Sequence, residues 1–82
     1  MTFTIITGKN CRFCDMAKNL LVKNGIKFEE LDIADRYMAQ RVFKVMGGET
    51  VPRIYDDKGV HIGGYTELAA MFEELDLSGE EL

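Results

Sequence analysis

Hydrophobic and polar positions alternate in short blocks whose period changes along the chain. Phe3-Thr4-Ile5-Ile6-Thr7 is a β-branched apolar run closed by Gly8, the composition of a buried strand. From Cys11 to Asn24 the positions Cys14, Ala17, Leu20 and Leu21 recur at spacings of three and four, while Lys18, Asn19 and Lys23 fall elsewhere. That spacing predicts an amphipathic helix, and Gly25 supplies a left-handed stop. Ile26 to Ile33, with Ile26, Phe28, Leu31 and Ile33 around an acidic interruption, predicts a second strand. Strand, helix and strand in succession imply a right-handed parallel crossover.

The second half reads in the same way. Asp35 to Met46 places Met38, Val42, Val45 and Met46 at helical spacing, with Asp35 as N-cap and Gly47-Gly48 as the stop. Val51 to Tyr55 and Val60 to Ile62 flank the turn residues Asp56-Asp57-Lys58-Gly59 and predict a hairpin ended by Gly63-Gly64. Thr66 is the expected N-cap of a last helix with Leu68, Met71, Phe72 and Leu75 along one face. The predicted order is βαβαββα, an α/β chain without repeats or linkers.

At 82 residues, two domains would leave neither with a core, so residues 1–82 read as one domain, worked by Phe3 to Leu75 and ended by a frayed acidic tail at 77–82. Hydrophobic residues at 46% and charged residues at 29% place it among ordinary globular chains. Ten Lys and Arg against fourteen Asp and Glu give a net charge of −4, which argues against a nucleic-acid partner. No window approaches the roughly 20 apolar residues that cross a bilayer, and Met1 to Lys9 lacks a basic segment followed by a long apolar run. No membrane partner and no signal peptide are expected. Two cysteines only two residues apart then point to chemistry rather than to a structural staple, in a reducing cytoplasm.

Cys11-Arg12-Phe13-Cys14 begins where the first strand gives way to the first helix. A helix start offers free N–H groups and the positive end of its dipole, and Lys9 and Arg12 add charge, so Cys11 is expected as a thiolate nucleophile with Arg12 tuning its pKa. Cys14, one turn further on, can close a disulfide with Cys11 and serves as the resolving thiol. A zinc site needs about four ligands and finds only His61 and carboxylates besides these two thiols, so no metal is expected. A structural disulfide closing so small a loop would remove little unfolded-state entropy.

Two further segments narrow the reading: Thr50-Val51-Pro52-Arg53-Ile54 and His61-Ile62-Gly63-Gly64-Tyr65-Thr66-Glu67-Leu68. With the cysteine motif, and over nearly the whole chain in order and spacing, they resemble the glutaredoxins, and dithiol bacterial or phage members are most similar. The resemblance implies a thioredoxin fold, a four-stranded mixed sheet flanked by three helices. It also implies a glutathione-dependent oxidoreductase that reduces mixed and protein disulfides as a monomer, with glutathione as co-substrate and ribonucleotide reductase as a candidate recipient.

The resemblance further assigns roles to individual positions. Pro52 would follow a cis peptide bond, and Thr50 and Val51 would present backbone to the cysteine part of glutathione, where the residues alone allow a plain edge proline. Gly63-Gly64 reads equally as a turn or as room for a ligand; the family context favours the N–H groups of Tyr65 and Thr66, beside Gly64, as a seat for a carboxylate. Glu67 either complements the helix dipole or meets the ligand's ammonium group. Lys9, by itself a solvated charge, would meet the glycine carboxylate, and Phe13 would keep an aromatic platform without the usual hydroxyl. Gln40 and Arg41 are left unassigned, and Tyr37 and Tyr55 are read as packing residues. Arg12 stands where proline is commonest in the family, so the rigid first turn is lost and the redox potential carries over least. Two other readings compete: a redoxin recharged by thioredoxin reductase, and an iron–sulfur carrier formed by two chains around Cys11 with glutathione ligands.

Overall fold

Four strands form one mixed sheet in the order β2-β1-β3-β4, with β1 at Thr2–Thr7, β2 at Lys27–Asp32, β3 at Arg53–Tyr55 and β4 at His61–Gly63. Three helices complete the chain in this computed structural model: α1 at Arg12–Lys23, α2 at Tyr37–Val45 and α3 at Tyr65–Glu80. The structure describes residues 1–48 and 50–80, with 74–80 described by backbone alone. The inward position expected for Leu75 and the frayed end expected at 77–82 therefore fall outside the described side chains and, for 81–82, outside the described residues. No described helix is long and apolar enough to cross a membrane.

β1 pairs in parallel with β2 and antiparallel with β3, and β3 pairs antiparallel with β4. Its alternating side chains serve two cores. Phe3 and Ile5 join Ala17 and Leu21 of α1, Ile54, and Leu68 and Phe72 of α3 on one face. Ile6 joins Phe43 of α2 and Tyr55 on the other, with Leu31, Ile33 and Val51 packed around them. Strand periodicity of two thus puts α1 and α3 on one side and α2 on the opposite side.

The helix stops follow the sequence reading. After α1, Gly25 has φ +69 and its N–H reaches the Val22 carbonyl at 3.0 Å, while the Ile26 N–H reaches Leu21 at 2.9 Å. Gly47 and Gly48 repeat this pattern after α2, bonding to Lys44 at 3.0 Å and Phe43 at 2.8 Å. Both are Schellman endings, in which a left-handed residue turns the chain back over the last carbonyls.

The helix starts do not. Asp35 does not cap α2: Arg36 occupies the N-cap and makes no side-chain cap bond. The acidic turn is organised by Asp32 instead, whose side chain accepts from the Ala34 N–H at 2.8 Å and whose carbonyl accepts from the N–H groups of Asp35 and Arg36 at 3.3 and 3.0 Å. Thr66 likewise lies inside α3, not before it. The Gly64 carbonyl accepts the first intrahelical bond, from Leu68 at 3.1 Å, and the Gly64 N–H donates to Glu67 Oε1 at 2.7 Å. A glycine with the reciprocal glutamate three residues on thus starts this helix. The hairpin strands are shorter than expected because Val51 and Pro52 stand outside the ladder and a register irregularity falls between Ile54 and Tyr55.

Among the described residues, Thr7 is a polar side chain buried with the core. Thr7, 1% exposed, donates its hydroxyl to Glu30 Oε2 at 2.7 Å, and Lys18 Nζ approaches the same oxygen at 3.1 Å and Asp15 at 3.7 Å. The end of β1 and the middle of α1 are thereby tied to β2. The Thr7 hydrogen bond, with Lys18 in support, holds the Glu30 carboxyl below its ordinary value of 4.5 against a partial loss of hydration. A carboxyl with a lowered folded-state pKa contributes stability above its ordinary value and loses it as pH falls through the folded value. Glu30→Gln is expected to cost about 1 kcal/mol at pH 7, allowing for solvent screening, and the difference from the parent should close below pH 4.5. Urea titrations of both proteins at pH 7 and pH 3 check this.

Candidate active site

Gly8, Lys9 and Asn10 carry the chain from the end of β1 into α1. Asn10 adopts φ +54, a left-handed conformation that asparagine tolerates better than most side chains. Cys11 follows as the N-cap of α1, with extended backbone angles of −105 and 100. Its sulfur accepts from the Cys14 N–H at 3.1 Å, the bond that a serine or aspartate oxygen makes at an ordinary N-cap. The sequence fold therefore places a sulfur where the first turn has spare N–H groups.

Cys11 and Cys14 are joined in a disulfide with their Cα atoms 5.2 Å apart. The two sulfurs are unequal: Cys11 is partly exposed, whereas Cys14 is 2% exposed and faces the core with Ala17 and Leu21. Only Cys11 can be reached by an incoming thiol or disulfide. Arg12 and Phe13, between them, are both exposed.

The loop before β3 faces the pair. The Val51–Pro52 peptide bond is cis, as the resemblance implied, and the Val51 carbonyl oxygen lies 3.6 Å from Cys11 Sγ, within reach of a reduced thiol as donor. A Cβ on Gly8 would stand 3.0 Å from the Val51 side chain, so the end of β1 and this loop meet closely. On the far side of Val51, a groove of about 200 Å³ opens between three segments. Phe13 and Tyr65, ring centres 6.0 Å apart, form one wall; Thr50, Val51 and Pro52 form another; Gly64, Thr66 and Glu67 close it at the start of α3. Gly63, at φ +129, brings the chain so close to Glu67 that a Cβ there would stand 2.7 Å from that side chain.

Eight of the residues singled out from the sequence therefore converge on one groove. Lys9 and Arg12 do not join it. They line a separate cavity of about 500 Å³ with both cysteines, Lys18, Glu30 and Thr7. One carboxylate oxygen of Glu67 accepts from the Gly64 N–H at 2.7 Å. The close approach of Gly8 to Val51 and the Thr7–Glu30–Lys18 group were not anticipated. Their contacts span 12 to 43 positions and follow from strand register, so no local signal marks them; Asn10, a left-handed former just before a helix start, could have been read. Among the described residues, no group of three or more His, Cys, Asp or Glu side chains is placed to hold a metal.

Residues 3–62 match the family model described as Glutaredoxin. Glutaredoxin 3 of Escherichia coli (strain K12) is 42% identical over 69 residues, covering 82% of this chain and 81% of that protein. Hybrid peroxiredoxin hyPrx5 of Haemophilus influenzae is 37% identical over 71 residues, 87% of this chain, which spans only 29% of that protein. Glutaredoxin 1 from Francisella tularensis, solved as a complex with cacodylate, superposes with a TM-score of 0.74 at 33% identity, covering 90% of this chain and 94% of that one. A buckwheat glutaredoxin–glutathione complex shares the fold, with a TM-score of 0.76 at 18% identity over 94% of this chain and 73% of that one.

A thioredoxin fold with a Cys-x-x-Cys disulfide at the start of its first helix defines a thiol–disulfide oxidoreductase. The cysteine motif, the Thr50-Val51-Pro52 loop and the Gly-Gly-Tyr-Thr segment then specify which one, and the chain belongs to the glutaredoxin family.

Arg12→Pro tests side-chain charge against backbone geometry as the source of the thiolate expected at Cys11. Loss of the guanidinium is expected to raise the Cys11 pKa only modestly, because solvent screens the exposed charge and the Cys14 N–H is already aimed at the sulfur. A thiolate absorbance titration on a Cys14→Ser background measures it; an unchanged or lower value would show that backbone geometry outweighs the side-chain charge.

Proposed function

We propose that this chain uses glutathione to reduce glutathione mixed disulfides and protein disulfides, with Cys11 attacking and Cys14 resolving. The observation that carries the reading is the groove beside Val51, where an aromatic wall, an extended backbone segment and a helix start meet within reach of the exposed sulfur. Those parts match the parts of a γ-glutamyl tripeptide. Val51 lies outside the sheet ladder, so its backbone is available to pair with the cysteinyl residue as an added strand. The N–H groups of Tyr65 and Thr66 and the positive end of α3 suit the γ-glutamyl carboxylate, and the second oxygen of Glu67 suits its ammonium group. Lys9, from the adjoining cavity, suits the glycine carboxylate. The buckwheat relative of the same fold was solved with glutathione bound.

The reaction then balances without a metal. The Cys11 thiolate attacks the glutathionyl sulfur of a mixed disulfide, and the substrate sulfur leaves as a thiolate that takes a proton from solvent. A second glutathione thiolate attacks the new bond, releasing glutathione disulfide and restoring the Cys11 thiolate. With a protein disulfide, the Cys11 thiolate attacks one sulfur and the other leaves as a thiolate that takes a proton; Cys14 then gives up its proton and attacks Cys11 Sγ of this mixed disulfide, freeing the second protein sulfur and leaving the Cys11–Cys14 disulfide seen in the structure. Two molecules of glutathione reduce it. We place this activity in the reducing cytoplasm, carried out by a monomer, with ribonucleotide reductase among the candidate recipients.

A glutathione-coupled assay tests the reading. Turnover of a small glutathione mixed disulfide should be fast with glutathione and glutathione reductase, and slow with thioredoxin reductase as sole electron source; the opposite order would overturn the choice of reductant. Cys11→Ser is expected to abolish all activity. Cys14→Ser should retain mixed-disulfide reduction and lose reduction of protein disulfides, because one attack suffices for the first and two thiols are needed for the second. Equal loss from both substitutions on the mixed disulfide would overturn the division of roles.

A further inference from the structure

We propose that the outward face of α2 is the docking surface for protein substrates, and that it selects disulfide-bearing chains whose neighbouring residues are acidic and apolar. The inference rests on the reading that protein disulfides are substrates.

α2 buries only Ala39 and Phe43. Its solvent side carries Tyr37 at 69% exposure, Met38 at 68%, Val42 at 43% and Val45 at 84%. Single exposed apolar residues are ordinary, but this many on one short helix form a patch, and such patches mark interaction sites. The charge is equally one-sided. From Arg36 to Met46 the chain has Arg36, Arg41 and Lys44, all exposed, and no Asp or Glu, in a protein whose net charge is −4. Among the described residues the ion pairs run to Lys18 alone, leaving these three cations to a partner. Arg41 sits 6.0 Å from the Tyr37 ring, presenting an aromatic and a guanidinium together.

α2 is joined to the active-site loop through its inner side. On the inner side of α2, Phe43 packs in the cluster that includes Val51, whose carbonyl is 3.6 Å from Cys11 Sγ. At the end of α2, the Met46 carbonyl accepts from Arg53 at 3.1 Å, one residue past Pro52. α2 thus packs against the loop that faces Cys11, and its outer face is opposite in sense to the net negative charge of the chain. Other occupants fit less well. A second copy related by two-fold symmetry would set Arg36, Arg41 and Lys44 against themselves. A membrane would meet one nine-residue helix on a chain of net negative charge.

Two synthetic disulfide peptides test the proposal, one with Asp, Glu and Leu flanking the disulfide and one with Lys and Ser at the same positions. The parent protein should reduce the acidic–apolar peptide with kcat/KM about tenfold higher, a preference that shrinks at high salt. The variant Met38→Ser/Lys44→Glu/Val45→Ser should lose that preference while turning over a small glutathione mixed disulfide at the parent rate. Retained turnover of the small substrate shows that the variant is folded and that the glutathione reading stands, whatever the peptides show. Equal kcat/KM on both peptides, or a preference that survives the triple variant, would overturn the docking role. So would a dimer in sedimentation at assay concentration that the variant splits, or binding of the parent to phosphatidylserine vesicles that the variant loses.

Discussion

Everything at the active end depends on β1 being held on both edges and both faces. Ile5 has no exposed surface and pairs with Glu30 on one side and Ile54 on the other, while Ile6 packs toward α2. A strand so enclosed cannot slip by one residue without moving Phe3 and Ile5 out of one core and Ile6 out of the other. Its last residue is therefore a fixed point in space. The turn of Gly8, Lys9 and Asn10 hangs Cys11 from that point, and the Ile6–Arg53 pairing brings Pro52 and Val51 to the same end. The 3.6 Å approach of Val51 to Cys11 is a consequence of two strand registers rather than of any direct attraction between them.

Much of this was legible in the chain because it is local and periodic. Ala17 and Leu21 fall at helical spacing and are buried, and Gly25 ends α1 where a left-handed residue was needed. The two cysteines announce their chemistry by spacing and by their place after a strand. The helix starts were less legible. Asp32 and Asp35 are chemically equivalent as candidates, and only the turn geometry decides that Asp32 takes the N–H groups. Thr66 and Gly64 rank about equally as capping residues, and it is the hairpin that delivers Gly64 to the helix start, where Glu67 supplies the acceptor. The groove residues were gathered by family likeness before geometry brought them together. Lys9, carried over by the same likeness, lines the neighbouring cavity because the turn after β1 directs it there.

The division between Cys11 and Cys14 has a structural origin that spacing alone does not reveal. An N-cap residue points its side chain back over the first turn, which keeps Cys11 at the surface with a backbone N–H directed at its sulfur. The residue three positions on falls on the face that α1 presents to β1, so Cys14 is buried with Ala17 and Leu21. Beneath that face, Thr7, Glu30 and Lys18 form a polar group whose charges offset one another. No buried side-chain nitrogen or oxygen among the described residues lacks a partner.

Two surfaces of different character meet at Cys11. The groove is built from backbone, two aromatic rings and a helix start, so it can read a small peptide by shape and by a few directed bonds while the surrounding chain stays acidic. Such a site cannot tell one protein disulfide from another, because it sees only the atoms nearest the sulfur. Selection among macromolecules needs area and charge away from the reacting bond, and α1 and α3 share one core and contact each other. α2 alone covers the opposite face, and it is short enough that two buried residues anchor it. Its outer positions are consequently released from packing duty, and a basic and apolar face there costs the fold little while adding a contact that the groove cannot provide.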